Sequence, residues 1–256
     1  MIDITNPGKI PGLLLTLYDD MGDLPAFWDS LMISIPDKYA YGIIAVDAGS
    51  TDGSIQWIKD HGVLTVGPCK DLSVALNKGI WEFVGDLVED KGDWVYQRKS
   101  VSSVVWIHPD MRFPEVGWLG KMVEYMYAHP DIGKLHPDLI ECPEGDRPGN
   151  QCPWMIPIPV LKKLQLEIMK GRKFPGDSNY KQRGWWYDEG YALCAGKEDW
   201  DLNKRILDLG YKVWITGATK ISHRSMGTRS RKDNNPAVPI NYSLFNRKWK
   251  QDNPFI

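Results

Sequence analysis

The chain has 256 residues, 43% of them hydrophobic, and 31 Lys and Arg against 33 Asp and Glu leave a formal charge of −2. That length and apolar content exclude a disordered chain and suffice for one sizeable core, while the balanced charge advertises no polyanionic partner globally. Cys69, Cys142, Cys152 and Cys194 form no C-x-x-C pair, Asp3, Pro7 and Pro11 interrupt any secretion-signal pattern, and no apolar run approaches the roughly 18 residues of a membrane span, so a reduced, cytoplasmic protein is expected.

In chain order, Leu13 to Leu17 is a short apolar run that predicts a buried strand, followed by a helical pattern from Leu24 to Ile33. Tyr41 to Val46 predicts a second buried strand, and a helix carrying Ile55 and Ile58 follows it. A third strand is expected at Val63 to Val66, a helix through Val74 to Val84, and an inserted hairpin from Trp94 to Ser103 that overlaps a strand from Val101 to Ile107. Beyond it the pattern predicts a helix from Gly117 to Ala128, a short strand near Lys134 and Leu135, a strand from Trp154 to Ile158 and a helix from Val160 to Met169. The Gly171 to Gly184 segment reads as a long loop. Glu198 and Asp199 open the best-marked helix, whose Leu202, Ile206 and Leu209 make an apolar stripe and whose Gly210 sits where a C-terminal cap belongs. Tyr211 to Ile215 then forms a strand, and a basic tail follows from Arg224. Strands alternating with helices predict an α/β fold with a mostly parallel sheet, whose ligand lies at the strand C-termini.

Four segments carry chemistry. Asp47-Ala-Gly-Ser-Thr-Asp-Gly-Ser54 follows a buried strand, where a fixed carboxylate accepts hydrogen bonds from a nucleobase or ribose and small residues let a ligand reach the backbone; a plain turn with a helix cap explains the same residues. His108-Pro109-Asp110 also ends a buried strand, so Asp110 can offer oxygen to Mg²⁺ or Mn²⁺. The same tripeptide recurs at His129 and at His136, and only its position after Val104 to Ile107 sets the first copy apart. Asp199 shares a face with Leu202 and Ile206, so it should point inward as an ionised carboxylate able to take a proton, whereas Glu198 is explained as well by the helix dipole. His223 follows a strand and precedes basic residues suited to a leaving diphosphate.

Taken together, these segments resemble the inverting GT-A glycosyltransferases of family 2 over about Leu13 to Thr228. Val46 to Ser54 is similar to that family's V-D-N-G-S-T-D-G-S, with Ala48 at the third position, and Ile107 to Asp110 resembles its metal motif, with His108 where an acid or amide usually stands. Tyr187-Asp188-Glu189, Glu198-Asp199-Trp200-Asp201-Leu202, Gly210-Tyr211 and His223 follow in the family's order. The resemblance implies a GT-A fold, a Rossmann-like mixed, mostly parallel sheet flanked by helices. One domain over residues 1–256 would comprise a nucleotide-binding half at 1–110, an acceptor and catalytic half at 111–228, and a basic tail at 229–256. It implies a nucleotide-sugar donor, with UDP as nucleotide, held by Thr16, Tyr18, Asp19, Asp47 and Gly49 and on the far side by Asn77 and Lys78. Mn²⁺ or Mg²⁺ would sit on Asp110 and His223, Asp199 would be the general base, and Trp186, Asp188, Glu189 and Glu198 would shape the acceptor and sugar pocket. The implied acceptor is a saccharide or glycoconjugate; a hydroxylated base in DNA, on account of the basic tail, and a non-catalytic nucleotide-sugar-binding module are the alternatives.

Overall fold

The computed structural model describes residues 10–35, 42–90, 93–97, 101–141, 143–149, 152–171, 186–189, 197–223 and 237–249. The apolar runs expected to be strands form one side of a nine-stranded sheet: β1 (Pro11–Leu17), β2 (Ile43–Asp47), β3 (Leu64–Val66) and β6 (Ser103–Ile107), parallel to one another in the order β3-β2-β1-β6. β10 (Trp154–Pro157) then runs antiparallel between β6 and β8 (Ile132–Leu139), and β11 (Lys212–His223) lies parallel to β8. The short β7 (Met111–Arg112) and β9 (Arg147–Pro148) pair antiparallel with β11. The resulting order is β3-β2-β1-β6-β10-β8-β11-β7, a mixed, mostly parallel sheet.

Because side chains alternate across a strand, each run of apolar residues feeds two cores. Leu14 and Val46 join one cluster with residues of α3 (Leu72–Val84), α5 (Ile158–Met169) and α6 (Glu198–Asp208). Leu13, Leu15 and Leu17 join the other, with α1 (Leu24–Ser34), α2 (Ser54–Asp60) and α4 (Trp118–Ala128). Helices therefore cover both faces of the sheet, giving three layers. None of the described helices is long and apolar enough to cross a membrane.

Gly79 shows how tightly the helical layer sits. A Cβ at this position would lie 2.2 Å from Leu14 Cδ1 and 2.9 Å from Val46 Cγ1, so α3 meets the sheet here through bare backbone. Gly79→Val is expected to overpack this contact and cost about 3 kcal/mol, measurable by urea denaturation.

Four elements depart from the expected ones. The hairpin comprises β4 (Asp86–Asp90) and β5 (Asp93–Gln97), starting earlier than Trp94 and forming a separate two-stranded sheet. β8 has 8 residues instead of a short segment, and β11 continues to His223, with register irregularities between Lys212 and Val213 and between Thr216 and Lys220. The tail contains a helix, α7 (Ala237–Trp249). Trp185, Cys142, Cys194, most of the Gly171 to Gly184 loop and the run from Arg224 to Lys232 lie outside the described residues.

Candidate functional site

The strands deliver the chemistry-bearing residues to the C-terminal edge of the parallel sheet. At the end of β1, Asp19 takes a positive φ of 53° and its Oδ1 accepts the Thr51 N–H at 2.7 Å and the Thr51 hydroxyl at 3.2 Å. At the end of β2, Asp47 Oδ1 accepts the Ser50 N–H at 2.8 Å, and Asp52 caps its own turn through Ser54 and reaches the Met21 N–H. The two loops thus brace each other, and Asp47 is buried. Gly67 holds the next wall close: with φ of 132°, a Cβ there would lie 2.8 Å from the Asp47 carbonyl oxygen, so only glycine fits without strain. Gly49, also at positive φ, packs near the Cys69 carbonyl.

Thr16 and His108 do not stand apart. The buried Thr16 hydroxyl accepts the Trp106 indole N–H at 3.0 Å and lies 3.2 Å from His108 Nε2, and the Trp106 ring meets His108 edge-on at 4.4 Å. Thr16 is thereby part of the floor that holds His108. Burial pushes the His108 imidazole below its ordinary value, against the pull of the Asp110 carboxylate.

One turn later the chain folds back. Met111 N–H bonds the His108 carbonyl at 3.1 Å, and Arg112 clamps the turn through the carbonyls of Pro109 and Met111. β7 then pairs with the end of β11 in a register that sets Met111 opposite His223. This antiparallel pairing brings His223 Nε2 to 3.4 Å from Asp110 Oδ2. Burial alone would raise the Asp110 carboxyl, yet the hydrogen bond and charge of His223, with His108, hold it below the ordinary carboxylate value. Asp110 Oδ1 is buried and has no hydrogen-bond partner among the described residues.

That orphaned oxygen and the neighbouring imidazole fit a hard divalent cation such as Mn²⁺. Two protein donors are few: among the described residues, no cluster of three or more His, Cys, Asp or Glu is placed to hold a metal. A cation bound here would draw its remaining ligands from water and from a substrate, as Mg²⁺ and Mn²⁺ do with phosphates.

The second half of the site is built on α6. Asp199 stands in the first turn, where its Oδ1 accepts the Tyr187 hydroxyl at 2.9 Å and the Lys134 ammonium at 3.3 Å. Lys134 comes from the middle of β8 and is fully buried. The two halves share one electrostatic environment. Burial drives the Cys152 thiol well above its ordinary value, and the charges of Asp199, Asp110 and Glu198 push it the same way while Lys134 opposes them.

Several residues expected to bind ligand have partners within the protein. Asn77 is fully buried on α3, and its amide bonds the Tyr187 N–H and carbonyl at 2.9 and 3.0 Å and Glu189 Oε1 at 3.1 Å. It clasps the 186–189 segment to the helix. Trp186 is 0% exposed and donates its indole N–H to the Leu161 carbonyl, so it is core and not pocket wall. Asp188 is paired with Lys248 of α7 at 2.7 Å. Lys78 is half-buried beside Cys69, and Tyr18 sits where its N–H bonds Asp20. Glu198 is buried in the first turn of α6.

Lys134, Tyr187 and Lys248 are site neighbours to which the sequence reading gave no role, although Tyr187 stands in the Tyr187-Asp188-Glu189 motif. Tyr187 could have been found from its place beside Asp188. Lys134 and Lys248 carried no signal, because a lysine in a polar stretch reads as solvated until an acidic partner is placed against it. Lys248 Nζ also lies 2.9 Å from Asp201, which bonds Arg205 and the Trp249 indole, and the Lys197 ammonium sits 3.2 Å from the Trp200 ring centroid and 4.1 Å from that of Tyr242. These contacts dock α7 onto α6.

No protein-family model matches the chain, and no curated protein matches it in sequence. Solved structures match it in fold. The chain is similar to residues 1–349 of S. aureus TarS in complex with UDP, at 9% identity and a TM-score of 0.57, covering 94% of this chain and 67% of that one. It is similar to glucosyl-3-phosphoglycerate synthase from Mycobacterium tuberculosis in complex with Mn²⁺, UDP and glucosyl-3-phosphoglycerate, at 13% identity and a TM-score of 0.56, covering 96% and 84%. A third similar structure is GalNAc-T7 with UDP, GalNAc and Mn²⁺, at 12% identity and a TM-score of 0.54; the chain spans 43% of that protein's length. The fold is therefore GT-A, the architecture expected from the ordered motifs.

Proposed function

We propose that this protein transfers a sugar from a nucleotide-diphosphate sugar, with UDP as nucleotide, to an acceptor hydroxyl of a saccharide or glycoconjugate. The observation that carries this reading is the approach of Asp110 and His223 to one another, in one electrostatic environment with Asp199, in a fold whose solved neighbours include UDP complexes. The Asp19, Asp47 and Gly49 loops would take the nucleotide, Asp110 and His223 would hold Mn²⁺ or Mg²⁺, and the cation would supply positive charge for the departing diphosphate. Asp199 would remove the acceptor proton as the hydroxyl attacks the anomeric carbon from the face opposite the leaving group, which inverts the anomeric configuration. The basic tail argued for DNA as acceptor, and that argument weakens at Lys248, which is turned inward onto Asp188 and Asp201.

Calorimetric titration of nucleotide sugars with and without Mn²⁺, followed by NMR of the product anomer, tests this reading. Metal-dependent binding of one nucleotide sugar and a product of opposite anomeric configuration are expected; no binding of any nucleotide sugar with Mn²⁺ would overturn it. Binding without turnover across an acceptor panel would point to the non-catalytic module. Asp110→Ala is expected to remove the metal dependence of binding and to lower turnover by at least 10²-fold, on the scale of losing a major electrostatic contact at the transition state.

A further inference from the structure

We infer that Lys134, together with Tyr187, is the positioning device of the catalytic base: both donate to the same oxygen of Asp199, which leaves its other oxygen to receive the acceptor proton. This inference rests on the proposed role of Asp199 as base.

The geometry is specific. Lys134 Nζ lies 3.3 Å from Asp199 Oδ1 and 2.9 Å from Asn203 Oδ1, with the Trp154 ring centroid at 5.3 Å. Asp199 and Asn203 are one helical turn apart on α6, so a single ammonium spans the turn. The Tyr187 hydroxyl reaches the same Oδ1 at 2.9 Å. Among the described residues nothing is bonded to Oδ2, and the Asp199 side chain is 15% exposed, so the carboxylate is anchored on one oxygen and open on the other.

A buried ammonium at this point answers a physical problem. Asp199 shares its surroundings with Glu198 from its own helix, with Asp110 and His108 from the end of β6, and with Cys152 ahead of β10. Neighbouring carboxylates favour protonation of one another, and a base protonated before the acceptor arrives is useless. Lys134 offsets that repulsion from the sheet side, and Tyr187, whose phenol burial keeps protonated, fixes the plane of the carboxylate. Burial lowers the Lys134 ammonium from its ordinary value, while the charges of Asp199 and Glu198 oppose that shift. In the transfer step the acceptor O–H bond breaks as H–Oδ2 forms on Asp199. The acceptor oxygen bonds the anomeric carbon, and the bond from that carbon to the diphosphate breaks with its electron pair leaving on phosphate oxygen. Lys134 touches none of these atoms.

The test uses Lys134→Met and Tyr187→Phe in the full chain, with nucleotide affinity by calorimetry and the pH profile of kcat/KM at saturating Mn²⁺. Nucleotide Kd is expected to stay within about twofold in both. In Lys134→Met, kcat is expected to fall roughly tenfold or more and the acid limb of the profile to move up by about one pH unit, because a cation that favours the ionised base has gone. Tyr187→Phe should move both in the same direction by less. A purely structural role would lower kcat or folded yield and leave the limb where it was. An unmoved acid limb in both variants overturns the inference; if Lys134→Met does not fold, an unmoved limb in Tyr187→Phe does so alone. Asp199→Asn separates the two claims. Full activity in that variant refutes the base assignment itself, whereas an inactive Asp199→Asn beside unmoved profiles refutes only the roles of Lys134 and Tyr187.

Discussion

Asp199→Asn is expected to lower the rate of sugar transfer by roughly 10²- to 10⁴-fold while leaving donor binding in Mn²⁺ within about twofold. The amide keeps the shape of the side chain, and its oxygen can still accept from Tyr187 and Lys134, whose bonds to Oδ1 now hold the carboxylate. What it loses is the capacity to take a proton. Steady-state rates and calorimetric Kd on the same preparation check this, and turnover near the wild-type rate would refute Asp199 as base. A fall in both kcat and donor affinity would place the residue in the donor site instead.

The second large effect concerns stability. Lys248→Met is expected to cost about 3–5 kcal/mol, because removal of one partner leaves buried carboxylates without their cation. At this chain length such a loss corresponds to a fall in Tm on the order of 10 °C. Lys248 is 1% exposed and bridges Asp188 on the segment clasped by Asn77 to Asp201 on α6. The exposed Lys59 on α2 serves as control, with Lys59→Met expected within about 0.5 kcal/mol of wild type. The pH dependence has a defined sign. Burial alone would raise the Asp201 carboxyl, but Arg205 and Lys248 hold it below the ordinary aspartate value of 3.8. A carboxyl lowered in the folded state contributes stability that is fully present above its unfolded value and is lost as pH falls through the folded one. The gap between wild type and Lys248→Met should therefore persist from neutral pH down to about 3.8 and close below it.

These partners explain which parts of the molecule were legible. The three inner strands β1, β2 and β6 were readable because parallel strands covered on both faces must be apolar throughout, and no other short element looks so uniform. α6 announced itself by acids in its first turn and a glycine just past its end. β8 was read as a fragment near Lys134 and Leu135 because Lys134, His136 and Asp138 look like a polar edge around a proline. In the fold all three are fully buried, with Lys134 on Asp199, His136 against the Pro153 carbonyl, and Asp138 bonded by the backbone of Glu144 and Gly145. α7 was read only as a basic tail because the acids that draw Lys248 inward lie 60 and 47 residues earlier in the chain.

The sequence by itself determined the alternation of strand and helix, the buried middle of the sheet, and the order of the acidic motifs at its edge. Period and apolar content are local properties, and a strand end followed by small and acidic residues reads the same in isolation as in the fold. Only the tertiary structure decided which partner each carboxylate meets. Asp110 acquires His223 through the pairing of β7 with β11, Asp199 acquires Lys134 and Tyr187 from two other segments, and Asp188 and Asp201 are taken up by Lys248. The environment of a charge is set by neighbours that burial brings within a few ångströms, and sequence spacing does not encode that distance.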